Sequence, residues 1–350
     1  MLIVDATPQG AGWSPISHMV RMASKLFSAS VVDAARRPPL WIRAGSLLRK
    51  RVVTGNEAES CLVICASPAD LLHLIEVPGW RRRFRFAAAW VIDSFWIDWI
   101  PRTVRRSMPF DHVFISSGED IDGWHRMCGT RPSWLPWGTD ALELGSGGSQ
   151  RQWDLTRVGR QPAGWDDDDL TLAEAESHGI RFRGRPRELV ADPISNQRLL
   201  MQAYAETKFT LAFSNLANPT NYTHPTRQYI TGRWVDALAA GATVAGCTPR
   251  GSCIDGLLWP GATLEFGTTD RATGLNILAG AASVWTPEAA RLNHAQALAR
   301  LDWRHRFRVI AELLGEMPEG LADDLRRLEA ACQAAAAYPV TPASSHEWRQ

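Results

Sequence analysis

Apolar positions alternate along most of the chain between short unbroken runs and stripes at helical spacing. Leu2-Ile3-Val4 reads as a strand. A Gly-containing loop, Gln9-Gly10-Ala11-Gly12-Trp13-Ser14-Pro15, follows, and then a helical stripe over residues 16–26. Further strands are predicted at 62–65, 87–92 and 112–116, with helices at 68–76 and 121–128. Short apolar strands alternating with helices predict a parallel sheet covered on both faces. Ligands of such sheets sit beyond the carboxyl ends of the strands. Asp93 and Ser116 stand at such ends and either face a ligand or cap the next helix.

Residues 144–150 are rich in Gly and Ser and read as a linker. A second alternating series follows, with a strand at 153–160, a helix at 170–178, a strand at 180–183, a helix at 196–206 and a strand at 208–213. The stretch His224 to Gly246 then combines several signals. Pro225 suits a first helical turn, Tyr229, Ile230, Trp234, Val235 and Leu238 fall at helical spacing, and Gly241 suits a left-handed cap. The strand 243–246 comes directly after. A shorter element near 262–265, helices at 271–281, 287–299, 302–314 and 319–337, and a polar tail complete the chain. The expected units are therefore 1–145, 151–316, a helix at 317–337 and a tail at 338–350, the first two Rossmann-like and facing each other across a cleft.

Composition narrows this picture only modestly. Hydrophobic residues make up 45% of the chain, enough for a substantial core. The net charge of +1 gives no electrostatic argument for nucleic acid. The six cysteines form no C-x-x-C pair, as expected of a reduced cytosolic chain, and no leader-like start or bilayer-length apolar run is evident. The basic run Arg81-Arg82-Arg83-Phe84-Arg85 suits either a solvated face or peripheral contact with the inner face of a membrane. Asp166-Asp167-Asp168-Asp169 follows no apolar strand directly, so it reads as an acidic helix start rather than a metal site.

The chemistry-bearing residues gather in the second half. Thr231-Gly232-Arg233 offers a close backbone approach and a fixed positive charge, and Asp236, one turn later, offers an acceptor for hydroxyls. Gly costs about 1 kcal/mol inside a helix, a cost that close ligand approach would justify. That set suits an anionic, hydroxyl-rich ligand. Gly10 and Gly12, between a strand and a helix start, form a possible sugar cradle.

Three motifs, joined by a fourth late in the chain, carry a family resemblance. Trp134-Leu135-Pro136-Trp137-Gly138-Thr139-Asp140 resembles the L-P-x-G-x-D that ends the first domain of GT-B glycosyltransferases of group 1 (GT4-like), in particular the spore-maturation-protein-like subgroup. Val158-Gly159-Arg160 is similar to the x-G-R that opens their second domain. Arg233 to Gly241 is similar to R-x-x-E-A-L-A-x-G, and Asp302-Trp303-Arg304-His305-Arg306 looks like their late W-x-x-R helix. The resemblance implies a metal-independent, cofactor-free transfer of a sugar from a nucleotide-diphosphate donor to a glycan, lipid-linked or small-molecule acceptor. It also implies a last helix crossing back to the first domain. Arg160 and Arg233 would hold the diphosphate, with Arg183 or Arg185 in reserve, Asp236 the ribose, and Gln228 with Thr231 the sugar or phosphate. Asp93 and His18 are the candidate acceptor-side bases, beside Ser116. Gln228 and Asp236 stand where the family carries two glutamates, so a sugar-nucleotide epimerase and a silent nucleotide-sugar-binding module stay open as alternatives.

Overall fold

A computed structural model of the chain describes residues 1–34, 60–75, 79–186, 192–220 and 223–337. The expected tail at 338–350 lies outside these. Two parallel sheets organise the rest. The first is built from β1 (Leu2–Ala6), β2 (Ser30–Asp33), β3 (Ser60–Cys65), β4 (Phe86–Val91), β5 (His112–Ile115) and β6 (Ser133–Trp134), in the order β2-β1-β3-β4-β5-β6. The second is built from β7 (Trp153–Arg157), β8 (Phe182–Arg183), β9 (Thr207–Phe213), β10 (Thr243–Cys247) and β11 (Thr263–Glu265), in the order β11-β10-β9-β7-β8. The edge strands β2 and β6 were missed by periodicity. β2 is exposed along its whole length and β6 has two residues, so neither carries a buried stripe.

Strand β3 shows why these runs become central strands. Leu62 and Ile64 face one core while Cys61, Val63 and Cys65 face another, so both faces are buried and the sequence carries no polar alternation. One core fills the outer face of the first sheet and one that of the second. The third, shared between the halves, joins helix Ser14–Leu26 of the first half to Pro193–Ala205, Gly232–Ala239 and Trp303–Leu314. The last helix, Glu319–Ala336, adds Leu321 and Leu328 to that shared core, and its Gly320 lies against the backbone of Leu26.

Buried arginines fasten the segments between the halves. Arg151 donates to the carbonyls of Ala240 (2.9 Å), Tyr204 (3.3 Å) and Thr207 (3.3 Å), which holds the Gly/Ser segment on the second half. Arg306 donates to the carbonyls of Pro136 and Trp137, and Arg304 meets Asp140 (2.8 Å), Asp302 (3.1 Å) and Asp324 (2.9 Å). The late Asp-Trp-Arg-His-Arg run thus clamps the Trp-Leu-Pro-Trp-Gly-Thr-Asp run. Gly138 is needed there because a Cβ would fall 2.7 Å from the Trp303 ring.

One boundary beside the cleft differs from the periodic reading. The helix expected from Pro225 begins only at Gly232, with Thr231 as its extended N-cap. Residues 223–230 make a fixed loop instead. Asn215 Nδ2 donates to the carbonyls of His224 (2.9 Å) and Arg227 (2.6 Å), and Tyr229 and Ile230 serve cleft contacts rather than a helix face. From Gly232 on, Trp234, Val235 and Leu238 are buried, worth roughly 1.5–3 kcal/mol each. Gly241, at φ 83°, ends the segment in the left-handed region. The acidic run caps a helix: Asp167 accepts from Leu170 N (3.0 Å), and Asp166 and Asp168 pair with the buried Arg157.

Candidate functional site

A cleft opens where the carboxyl ends of the two sheets face each other. From the first half it is lined by Ile92, Phe95, Ser116, Ser117, Gly118, Glu119, Trp134 and Trp137. From the second half come Gln228, Tyr229, Ile230, Cys253, Ile254 and Leu257. The N-terminal end of helix Gly232–Ala239 abuts this wall: a Cβ on Gly232 would come within 3.1 Å of both Trp137 and Pro15. Gly232 is therefore a first helical residue packed tightly against the first half, not an interior one.

The turn after β7 lies against the same helix start. Gly159 adopts φ 70°, and a Cβ there would fall 2.6 Å from the Arg233 guanidinium. Arg233 Nη1 donates to the Arg160 carbonyl at 3.0 Å, and Arg160 Nη1 donates to Thr220 Oγ1 at 2.6 Å. Arg160, Arg233, Thr231 and Gly232 are thus brought together at one strand end and one helix start, where backbone amides carry a partial positive charge. Arg183 and Arg185 are engaged elsewhere, with Glu206 (2.7 Å) and Asp166 (2.6 Å).

Gln228 sits on the cleft wall with its amide oriented. Its Oε1 accepts from Ser214 Oγ (2.9 Å) and from the backbone N–H of Arg250 (3.1 Å). Opposite, Ser116 Oγ donates to the Val91 carbonyl at 3.4 Å. Several contacts cross the mouth. Phe95 stacks on Tyr229 with centroids 3.8 Å apart and planes 5° from parallel. Arg227 reaches Asp120 at 3.4 Å, and Glu119 accepts from Cys253 N at 2.7 Å. Burial raises the Asp120 carboxyl above its usual range, against the pull of Ser117 and Arg227. Glu119 and Cys253 went unrecognised in the sequence, and Trp134 and Trp137 were read there only as part of a motif. Glu119 has no motif around it, and only the fold brings it to a helix start more than a hundred residues away.

The remaining candidates separate. Asp93 follows β4 and is half-buried; burial, helped by the charge of Asp70, pushes its carboxyl up to about 7. His18 lies away from the cleft wall, in the shared core, where its Nε2 meets Asp140 Oδ2 at 2.8 Å. Asp236 is 2% exposed and is bonded by Gln197 Nε2 at 2.9 Å. Burial pushes its carboxyl up to about 6, and in this packing it presents no surface to a ribose. Gly10 and Gly12 are exposed in the loop before helix Ser14–Leu26, with open space around both. Among the described residues, no group of three or more His, Cys, Asp or Glu side chains could hold a metal, and no helix is long and apolar enough to cross a membrane. Arg82, Arg83 and Arg85 are exposed at the amino end of β4, the opposite end from the cleft.

No family model and no curated protein matches the sequence. Among solved structures, the chain is similar to Alr3699/HepE of Anabaena in complex with UDP and glucose, with a TM-score of 0.54 and 13% identity over 90% of this chain and 99% of that one. The likeness is the same to its complex with UDP-glucose, with a TM-score of 0.54 and 15% identity over 90% and 99%. At these identities the likeness is one of fold. With two parallel sheets facing across a cleft and a last helix packed back on the first half, the chain has the GT-B glycosyltransferase fold.

Proposed function

We propose that the chain is a glycosyltransferase of the group-1 (GT4-like) kind that moves a sugar from a nucleotide-diphosphate donor to a hydroxyl of an acceptor. The observation that carries this is the meeting of Arg233, Gly159 and Arg160 at the cleft end of the second sheet. In such a transfer the bond from the anomeric carbon to the diphosphate breaks while negative charge grows on the leaving group. Fixed guanidinium charge and helix-start amides, aligned before reaction, stabilise that charge most where water is excluded. Arg160 and Arg233 supply it in this reading, so no step calls for a metal. The sugar lies toward Gln228, and the acceptor approaches from the first half.

Asp93 is the acceptor-side base in this proposal. A carboxyl raised to about 7 is half ionised near neutral pH, which suits proton removal from a hydroxyl. His18 is assigned to the joint between the halves, because its Nε2 is committed to Asp140. Asp236 is given a packing role for the same reason, through Gln197. The glutamine at position 228 and the covered carboxyl at 236 favour one second reading, a module that binds the nucleotide-sugar without turning it over.

Titration with UDP and UDP-sugars, followed by donor hydrolysis, separates the two. UDP release supports the enzyme, and binding without release supports the module. Turnover that persists in EDTA is expected. Arg233→Ala should abolish nucleotide binding while leaving the fold intact, and wild-type affinity in that variant would overturn the site.

A further inference from the structure

Gln228 carries a piece of chemistry that a carboxylate at the same place would not. The backbone N–H of Arg250 can only donate, so the side-chain atom 3.1 Å from it is the amide oxygen. Ser214 Oγ donates to the same oxygen at 2.9 Å, and accepts in turn from Leu216 N at 3.4 Å. The amide is therefore locked, and the nitrogen, with two N–H donors and no acceptor, is the end left to the cleft.

Glu119 is the one charged side chain among the described residues that line this cleft, and it is an acid. A ligand group that meets the Gln228 nitrogen should thus be an acceptor without negative charge of its own. The rest of the lining is largely apolar, with Ile230, Ile254 and Leu257 from the same half and Ile92, Trp134 and Trp137 from the other. A neutral carbonyl next to a methyl group satisfies both demands. A hydroxyl can also accept from the nitrogen, but its own hydrogen then needs another partner.

From this we infer that Gln228 selects an acetamido sugar in the donor, its carbonyl accepting from Nε2 and its methyl against the apolar wall. The inference rests on the nucleotide-sugar reading above. Gln228→Glu isolates it, because the two shapes are nearly the same and the oxygen facing Ser214 and Arg250 is kept. The two side chains differ at the single position that faces the cleft.

The test compares UDP, UDP-glucose, UDP-N-acetylglucosamine and UDP-glucuronic acid by calorimetric titration in both proteins, with melting curves to check that the variant folds. In the wild type the acetamido donor should bind on the order of tenfold more tightly than UDP-glucose, the scale of one hydrogen bond in a covered site. Gln228→Glu should remove that advantage. Equal affinities in the wild type, an advantage that survives Gln228→Glu, or a preference for the glucuronic acid donor would each overturn the inference. Failure to bind UDP at all would instead bring down the nucleotide-sugar reading itself.

Discussion

Two seams join the halves of this molecule, and they are made of opposite material. The inner seam, under helices Ser14–Leu26 and Trp303–Leu314, is a buried core threaded by charges. His18 meets Asp140, and Arg304 meets Asp140, Asp302 and Asp324, with Arg304 only 2% exposed. The outer seam, at the cleft mouth, is made of such contacts as an aromatic stack, an ion pair at 3.4 Å and a carboxylate on a helix start, all along the cleft lining. Parting the inner seam would strip partners from buried charges, whereas parting the outer one exposes groups that water can satisfy. The contrast divides labour: the inner seam fixes the relation of the two sheets, and the outer seam is where a ligand can enter.

The largest expected effect comes from breaking the inner seam. Arg304→Met leaves Asp140, Asp302 and Asp324 without their shared cation and should cost about 3–5 kcal/mol in urea unfolding. Adding Asp140→Asn removes one of the stranded charges and should restore part of the loss. A loss under about 1 kcal/mol for Arg304→Met would mean that the seam is held by its apolar core alone.

The sequence carried the sheets better than the seams. β3 and β4 are legible because burial on both faces leaves an unbroken apolar run. The start of helix Gly232–Ala239 was not, because Tyr229 and Ile230 have the right spacing for a helix face but are spent on the cleft. Arg160 and Arg233 stand out in motifs, and the fold brings them together. Glu119 and the crossing partners of Arg227 carry no local signal, since their meaning depends on a neighbour from the other half. The same holds for Asp236. Its sequence context suggests a ligand-facing acceptor, and only the packing of Gln197 over it shows a covered one.

Asp236 gives the inner seam a pH signature of intermediate size. Its carboxyl titrates near 3.8 when unfolded and at about 6 when folded, so between those values the folded chain holds a proton that the unfolded chain has lost. Stability should therefore fall as pH rises through that window, by at most about 1.4 kcal/mol per pH unit for one proton. Asp93 adds the same sign up to about 7. Asp140, held below its usual value by His18 and Arg304 against its burial, has the opposite sign and costs stability only at lower pH. Urea midpoints measured from pH 4 to 7 should show a shallower fall in Asp236→Asn than in the wild type. An unchanged slope would mean that Asp236 is ionised in the folded protein.

The smallest effect is expected at the mouth, where it is also the most informative. Phe95→Leu keeps an apolar side chain but removes the ring that lies parallel to Tyr229. An aromatic pair contributes about 0.5–1.5 kcal/mol beyond its buried area, so the global loss should stay near 1 kcal/mol. The local consequence should be larger in relative terms, because the stack is one of the contacts that close the mouth on that side. Amide exchange in residues 223–230 should then quicken, while exchange in helix Trp303–Leu314 keeps its wild-type rate. Faster exchange in both segments would show that the two seams open together, and the division of labour between them would fall.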